Sequence, residues 1–267
     1  MSVHDEIRQQ QKKLKGQGFK AHWDYFWEYY KIHTIVAVIA IIFVVTFIRD
    51  IANKKPYALY AMFINNQGLE TQDYLQKNFA AEAGIDTNTE AVLVDTASNY
   101  LSNSIDSAAV ATSEKIMALL AAKELDVMVA DDQVLYHYAA QETFMDLRDV
   151  LSADELKKLD ENNQIMYVDQ GYIDYLASEE YSDYITTGKY DENNKYAVMA
   201  AAYDENFEDI IPDKSQMDDP IPAGIILDNS EALTACGAYT DKTPIAAIAV
   251  NTQRVDKARE FIEYLMK

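Results

Sequence analysis

The chain has 267 residues, of which 49% are hydrophobic and 25% are charged, a composition typical of folded proteins and not of disordered ones. The formal net charge of -21 is unevenly distributed, because residues 1–55 carry +4 and the rest of the chain carries -25. Such a field repels phosphate backbones, so residues 56–267 are not expected to bind nucleic acid. Cations, sugars and basic proteins are compatible with it.

An apolar segment near the N-terminus predicts a membrane anchor. Residues 32–48 read IHTIVAVIAIIFVVTFI and contain no charged side chain. As a helix they rise about 25 Å, close to the roughly 30 Å of a hydrocarbon core. The preceding residues supply an aromatic belt of the kind found at membrane interfaces, formed by Trp23, Tyr25, Phe26, Trp27, Tyr29 and Tyr30. The lipid bilayer is therefore an expected partner of residues 32–48.

The basic segment 1–31 predicts the orientation of this anchor. Short positively charged segments stay in the cytoplasm, so the residues after the linker 49–56 are expected outside, on a single-pass protein of the cell membrane. A cleavable signal peptide is the rival interpretation. The apolar run is long for one, and no small-x-small cleavage site follows it. With Cys236 as the only cysteine, an exported domain without disulfides suits a bacterium.

The first part of the displayed domain predicts alternating strands and helices. Residues 57–64 and 91–95 have strand character, and residues 70–83 between them have helical spacing. The pattern repeats with a helix at 113–123 and a strand at 125–130. Alternation of this kind predicts an α/β fold with a parallel sheet covered by helices.

The second part is less regular. Ser152 and Glu155 form a capping-box pattern at the start of a helix. Pro212 to Pro222 reads as a linker. Other predicted elements are a helix at 133–140, strands at 165–169, 196–201 and 245–250, and a final helix at 254–266.

Three segments carry a family resemblance, namely residues 125–151, 191–207 and 244–267. Together they resemble extracellular solute-binding proteins of ABC transporters, which have the type II periplasmic-binding-protein fold. The resemblance implies a two-lobed α/β domain at 57–267 with mostly parallel sheets, as a short, membrane-anchored relative of that family. Lobe one would comprise about 57–140 and 223–267, and lobe two about 141–222.

Ligand groups in open α/β sheets lie beyond the carboxyl ends of parallel strands. Helix capping and turn formation explain the polar residues at these positions equally well. The candidate ligand-binding residues are Asn65, Asn66, Asp131, Asp132, Tyr203, Asp228 and Asn229.

Signatures of catalysis and of metal binding are missing from the sequence. It contains no G-x-S-x-G, H-E-x-x-H or C-x-x-C pattern, and His137 is the only histidine after residue 55. We therefore expect no enzyme activity, no metal and no cofactor. Sixteen tyrosines follow residue 55, and they are suited either to half-buried packing or to stacking on a sugar or a partner.

Two functions stay open. The first is a membrane-tethered extracytoplasmic binding module that takes a small solute for a membrane transporter. The alternative is a bitopic scaffold or adaptor that binds another envelope protein and has no small-molecule ligand. A solute binder needs a cleft with convergent polar and aromatic groups, whereas a scaffold needs an exposed apolar surface.

Overall fold

The computed structural model describes residues 18–53, 55–100 and 107–267. It separates the chain into two compact units at Lys55. The basic residues Arg8, Lys12, Lys13 and Lys15 lie outside the described residues, as do the side chains of Tyr25 and Tyr29.

The first unit contains one long helix, α1 (Phe19–Asn53). Its segment Tyr30–Arg49 is long and apolar enough to cross a membrane, and none of this segment is buried within the protein. The hydroxyls of Thr34 and Thr46 donate to backbone carbonyls four residues earlier, at 2.9 and 3.0 Å, so these polar groups are satisfied within the helix. The predicted anchor 32–48 is thus helical, and its crossing of a membrane stays a prediction.

The second unit, Pro56–Lys267, is built on one six-stranded sheet. Strand order is β2-β1-β3-β6-β5-β4. Both neighbours of β1 run parallel to it, while the pairs β3–β6, β6–β5 and β5–β4 are antiparallel, so four of the six strands share one direction. The strands are β1 (Tyr57–Ile64), β2 (Ala91–Ser98), β3 (Val127–Ala130), β4 (Ile165–Asp169), β5 (Pro220–Ile226) and β6 (Ile245–Ile248).

Helices cover both faces of this sheet, because alternate residues of each strand point to opposite faces. On β1, Tyr60, Met62 and Ile64 belong to one core cluster, and Leu59, Ala61 and Phe63 belong to the other. The first face packs against α3 (Ser107–Ala121), α4 (Asp132–Ala139), α6 (Gln170–Leu176) and α8 (Lys195–Asn206), with α7 (Glu179–Thr187) beside them. The second face packs against α2 (Thr71–Glu82), α5 (Ala153–Glu161), α9 (Glu231–Cys236) and α10 (Val255–Leu265).

The predicted α/β class is confirmed by this layered arrangement, and so are the opening β-α-β unit and the capping box of Ser152 and Glu155. The two-lobe division stays a prediction, and strands from both predicted ranges lie in the one sheet. Short 3-10 helices occur at Leu147–Asp149 and Lys214–Gln216, the second within the predicted linker.

The strand predicted at 196–201 was wrong, since these residues belong to α8. Asn194 precedes the helix, and its side chain accepts a hydrogen bond from the backbone N–H of Tyr196 at 3.0 Å. This cap satisfies a backbone donor that a helix start leaves without a partner. Four alanines within α8 add the highest helix propensity of any residue.

A buried carboxylate, that of Asp126, joins the start of α10 to the sheet. Asp126 is fully buried and accepts hydrogen bonds from the backbone N–H of Tyr60 at 2.7 Å, from Arg254 Nε at 2.8 Å and from the hydroxyl of Thr252. Arg254 Nη2 also donates to the carbonyl of Glu124 at 2.7 Å. The start of α10 is therefore fastened to β1 and to the entrance of β3.

We expect Asp126→Ala to lower the free energy of unfolding by about 3 kcal/mol or more, because it leaves Arg254 without its buried partner. In a domain of this size that corresponds to a fall in Tm of about 6–12 °C, measurable by circular dichroism of the full chain. Lys157→Ala is the control, since Lys157 and Glu161 form an exposed ion pair at 3.7 Å. Its loss is expected to cost less than about 0.5 kcal/mol, and equal losses in the two variants would contradict the assignment.

Candidate functional site

The carboxyl ends of β1, β3 and β5 lie at one edge of the sheet, which places Asn65, Asp131 and Asp228 along that edge. Asn65 has a positive φ of 60°, and its side chain bonds the backbone N–H and carbonyl of Tyr100 at 2.8 and 2.7 Å. Asn66 donates to the carbonyl of Gly68 at 2.8 Å. Both asparagines therefore shape the loop after β1.

Asp131 is the N-cap of α4 and is almost completely buried. One carboxylate oxygen accepts from the backbone N–H of Val134 at 3.1 Å, and the other pairs with Lys242. Asp132, Asp228 and Lys242 line a cavity of about 410 Å³ together with Ile226, Thr243 and Ile245. Asn229, with a φ of 61°, lies in the turn that follows. The structure thus brings Asp132 and Asp228 together and places Tyr203 elsewhere.

Tyr203 lies at a second cavity, of about 320 Å³, to which four helices each contribute one ring. His137 comes from α4, Tyr172 from α6, Tyr181 from α7 and Tyr203 from α8. We call this cavity the aromatic pocket. Its other lining residues are Ala140, Gln141, Leu176, Ala200 and Asp209.

His137 is the centre of the polar contacts in the aromatic pocket. Its ring stacks on Tyr203, with 4.7 Å between centroids and 18° between planes. The side-chain amide nitrogen of Gln141, which can only donate, lies 2.9 Å from His137 Nε2. Nε2 therefore accepts, and in the neutral ring the proton is on Nδ1, 3.4 Å from the carboxylate of Asp209.

Asp209 is held in place through its backbone. The side chain of Gln133 accepts from the N–H of Asp209 at 2.8 Å and donates to its carbonyl at 3.2 Å. Gln133 is in the first turn of α4, so the segment after α8 is fastened to the helix that carries His137. The backbone of Asp209 is thus occupied, and its carboxylate is left to face His137 and the cavity.

The tyrosines of the aromatic pocket are neutral phenols at physiological pH. Burial, and then the charge of Asp209, raises the pKa of Tyr172. Burial, followed by the hydrogen bond with Tyr100 at 3.3 Å, raises the pKa of Tyr203, and burial followed by the charge of Asp204 raises that of Tyr181. Among the described lining residues, the acid Asp209 is present without any lysine or arginine.

Asp169 sets the positions of α6 and α8, which carry two of the four rings. It is buried at the end of β4 and accepts four hydrogen bonds, from the backbone N–H groups of Gly171, Asp218 and Asp219 and from the hydroxyl of Tyr196, at distances of 2.9–3.2 Å. Burial alone would raise the pKa of Asp169, but these hydrogen bonds outweigh burial and hold that pKa below its ordinary value.

Gly171 is required at this contact between α6 and α8. A Cβ atom at residue 171 would lie 2.1 Å from the hydroxyl of Tyr196, far inside van der Waals contact. The phenol of Tyr196 therefore occupies the space that any other residue type at position 171 would need.

A groove of about 650 Å³ lies on the opposite face of the sheet, between α5 and α10. Leu159, Ile225, Ile248 and Ile262 are buried residues that contribute to its lining. Arg259 lies at its rim and pairs with Glu155 at 2.5 Å and with Glu263 at 2.8 Å. We call it the α5–α10 groove.

Sequence reasoning named Tyr203 as a site residue but missed the residues that surround it. His137 belongs to no catalytic or metal-binding motif, and Asp209 follows a helix in a segment without a recognisable motif. The one available signal was the density of aromatic residues around His137, in VLYHYAA. Within the described ranges, no group of three or more His, Cys, Asp or Glu side chains is arranged to hold a metal ion.

Comparison with known proteins gives a coarse result. No family model and no curated protein matches the chain. The chain is similar to the solved structure of Trichodesmium IdiA (FutA) in complex with iron and citrate ligands, with 13% identity, coverage of 78% of this chain and 81% of that chain, and a TM-score of 0.34. It is also similar to the periplasmic binding protein P5PA, with 10% identity, coverage of 78% and 79%, and a TM-score of 0.33. The likeness to periplasmic binding proteins is thus distant.

Asp169→Asn should destabilise the domain at neutral pH by about 1–3 kcal/mol, because the variant loses the charge that its four donors stabilise. Since the folded-state pKa of Asp169 is depressed, the carboxylate's contribution is complete above the unfolded pKa of about 3.9 and is lost as pH falls below it. Urea unfolding at several pH values measures the difference between wild type and variant. A difference that stays constant from pH 7 down to pH 3 would contradict this role.

Proposed function

We propose that this protein is a membrane-tethered extracytoplasmic binding module and that its aromatic pocket binds a small solute. The proposal rests on the convergence of His137, Tyr172, Tyr181 and Tyr203 with Asp209 around one cavity of about 320 Å³. Small-molecule sites are concave, mostly apolar and supplied with a few placed polar groups, at volumes of about 300–1,000 Å³. The aromatic pocket has each of these properties, and the proposal involves no catalytic step.

The tether is the second part of the proposal. The exposed apolar segment Tyr30–Arg49, the aromatic residues before it and the basic residues of 1–31 support a single-pass anchor with a cytoplasmic N-terminus. An anchored domain stays close to the membrane surface. This position suits the delivery of a solute to a membrane transporter.

A second candidate function is that of a scaffold for another envelope protein. The α5–α10 groove supports it, because that groove is larger than the aromatic pocket and combines apolar lining with a charged rim. Interfaces between proteins have a similar composition, with an apolar centre and a polar rim. The two candidates use opposite faces of the sheet, so substitutions can separate them.

A solute that binds the aromatic pocket should raise the Tm of the detergent-solubilised full chain. At a concentration 100 times its Kd the free energy of unfolding rises by about 2.7 kcal/mol, because the ligand binds the folded state only. Differential scanning fluorimetry against sugars, amino acids, peptides, organic cations, ferric citrate and divalent cations would reveal such a solute. Tyr203→Ala should abolish the shift.

Tyr190→Ala is the matched control, because Tyr190 is an exposed tyrosine that does not line the aromatic pocket. It should leave the ligand-induced shift unchanged. No shift with any compound, together with a membrane protein that co-purifies with wild type and is lost from Arg259→Glu, would favour the scaffold.

The tether predicts a specific labelling pattern in intact cells. The native Cys236 is buried, so it contributes little background to labelling with a membrane-impermeant maleimide. Ser182→Cys, on the exposed side of α7, should be labelled from outside, whereas Ser2→Cys should react only after the membrane is permeabilised. Labelling of both cysteines, or of neither, in intact cells would contradict the proposed topology.

A further inference from the structure

Among the described residues, the charged side chains that line the aromatic pocket are acidic and not basic. Asp209 is its acidic lining residue, and the lining residues that the structure describes include neither lysine nor arginine. The rest of the domain reinforces this sign, since the chain beyond residue 55 carries a formal charge of -25. A long-range field of this kind attracts cations to the pocket and repels anions from it.

The carboxylate of Asp209 has capacity for a further partner. Its side chain is only 5% exposed, and its carboxylate lies 3.4 Å from His137 Nδ1. Charge-assisted N–H···O bonds are normally 2.7–2.9 Å long, so this contact compensates the buried charge only partly. A carboxylate offers about four acceptor positions, and a buried charge is stabilised by a close opposite charge.

The rings provide the second attraction for a cation. Tyr172, Tyr181 and Tyr203 line the cavity as neutral phenols, and a cation within about 6 Å of such a ring gains about 0.5–2 kcal/mol. One face of the Tyr203 ring is stacked on His137. The cation–π interaction occurs elsewhere in the described part of the domain, where Lys195 lies over the ring of Tyr196 at 4.7 Å and Lys214 over that of Tyr167 at 4.2 Å.

The volume limits the size of the ligand. At about 30 Å³ for each water-sized group, a cavity of about 320 Å³ holds on the order of ten non-hydrogen atoms. A hydrated metal ion would leave the aromatic faces unused. An organic ion fills the cavity and contacts both the rings and the carboxylate.

We propose that the aromatic pocket binds a small organic monocation, either an amine in its ammonium form or a quaternary ammonium ion. This inference rests on the proposed function of the same pocket as a solute site. Tyr172, Tyr181 and Tyr203 supply the apolar and cation–π contacts, Asp209 supplies the counter-charge, and Gln141 keeps the His137 proton on the side of Asp209.

The test compares charged and neutral ligands of the same shape on the detergent-solubilised full chain. Choline and its neutral isostere 3,3-dimethylbutan-1-ol form one pair, and n-butylamine and butan-1-ol form another. We expect isothermal titration calorimetry to show at least tenfold tighter binding of a cation than of its neutral counterpart. Binding of the cation should weaken as salt is added.

Asp209→Asn should weaken cation binding at least tenfold and leave the binding of the neutral isostere unchanged. Asp183→Asn is the charge-matched control, because Asp183 lies on the exposed side of α7, and it should change neither affinity by more than twofold. If Asp209→Asn does not fold, Tyr203→Phe and Tyr203→Leu replace it. The phenylalanine variant should retain cation binding and the leucine variant should lose it.

Equal affinities for a cation and its neutral isostere would overturn the proposal that the ligand is a cation. Unchanged cation binding in both Asp209→Asn and Tyr203→Leu would overturn it as well. The proposed ligand class is also wrong if neither cation binds while another solute stabilises wild type but not Tyr203→Ala. The aromatic pocket would then be a site for a different solute. If no solute of any class binds, the proposed function fails together with this inference.

Discussion

The carboxylate of Asp169 is the contact on which the candidate site depends. It receives hydrogen bonds from the start of α6, from Tyr196 on α8 and from the backbone at residues 218 and 219, so it fixes three segments relative to the end of β4. Two of these segments carry rings of the aromatic pocket, on Tyr172 and Tyr203. A buried carboxylate is stable only when its oxygens accept hydrogen bonds. The hydrogen bonds that stabilise the charge of Asp169 therefore also hold the helices in position.

Local features of the fold were predictable from the sequence. The β-α-β opening follows from the periodicity of apolar residues, and the capping box at Ser152 depends on residues within one helical turn; the structure confirms both. The strand predicted at 196–201 was wrong because a short apolar run fits a strand and a helix equally well. The helix cap at Asn194 decides between the two. The position of β6, which is antiparallel between β3 and β5, depends on long-range pairing that periodicity does not encode.

The candidate site was less predictable than the fold. Reasoning from strand ends located one edge of the sheet, where Asn65 and Asp131 make loop and capping contacts. The aromatic pocket is instead formed between helices, from residues that are up to 72 positions apart in sequence, from His137 to Asp209. Only the packing of α4, α6, α7 and α8 brings them together. Tyr203 was named because it follows a predicted strand, although it lies on a helix.

The central claim is that a solute binds among the rings of the aromatic pocket. Fluorine NMR of the full chain labelled with 3-fluorotyrosine tests it most directly, with resonances assigned by substitution of individual tyrosines. We expect a solute that raises the Tm to shift the resonances of Tyr172, Tyr181 and Tyr203. The resonances of Tyr74 and Tyr167, which pack against the core cluster on the other face of the sheet, should not move. Shifts confined to Tyr74 or Tyr167 would contradict the claim.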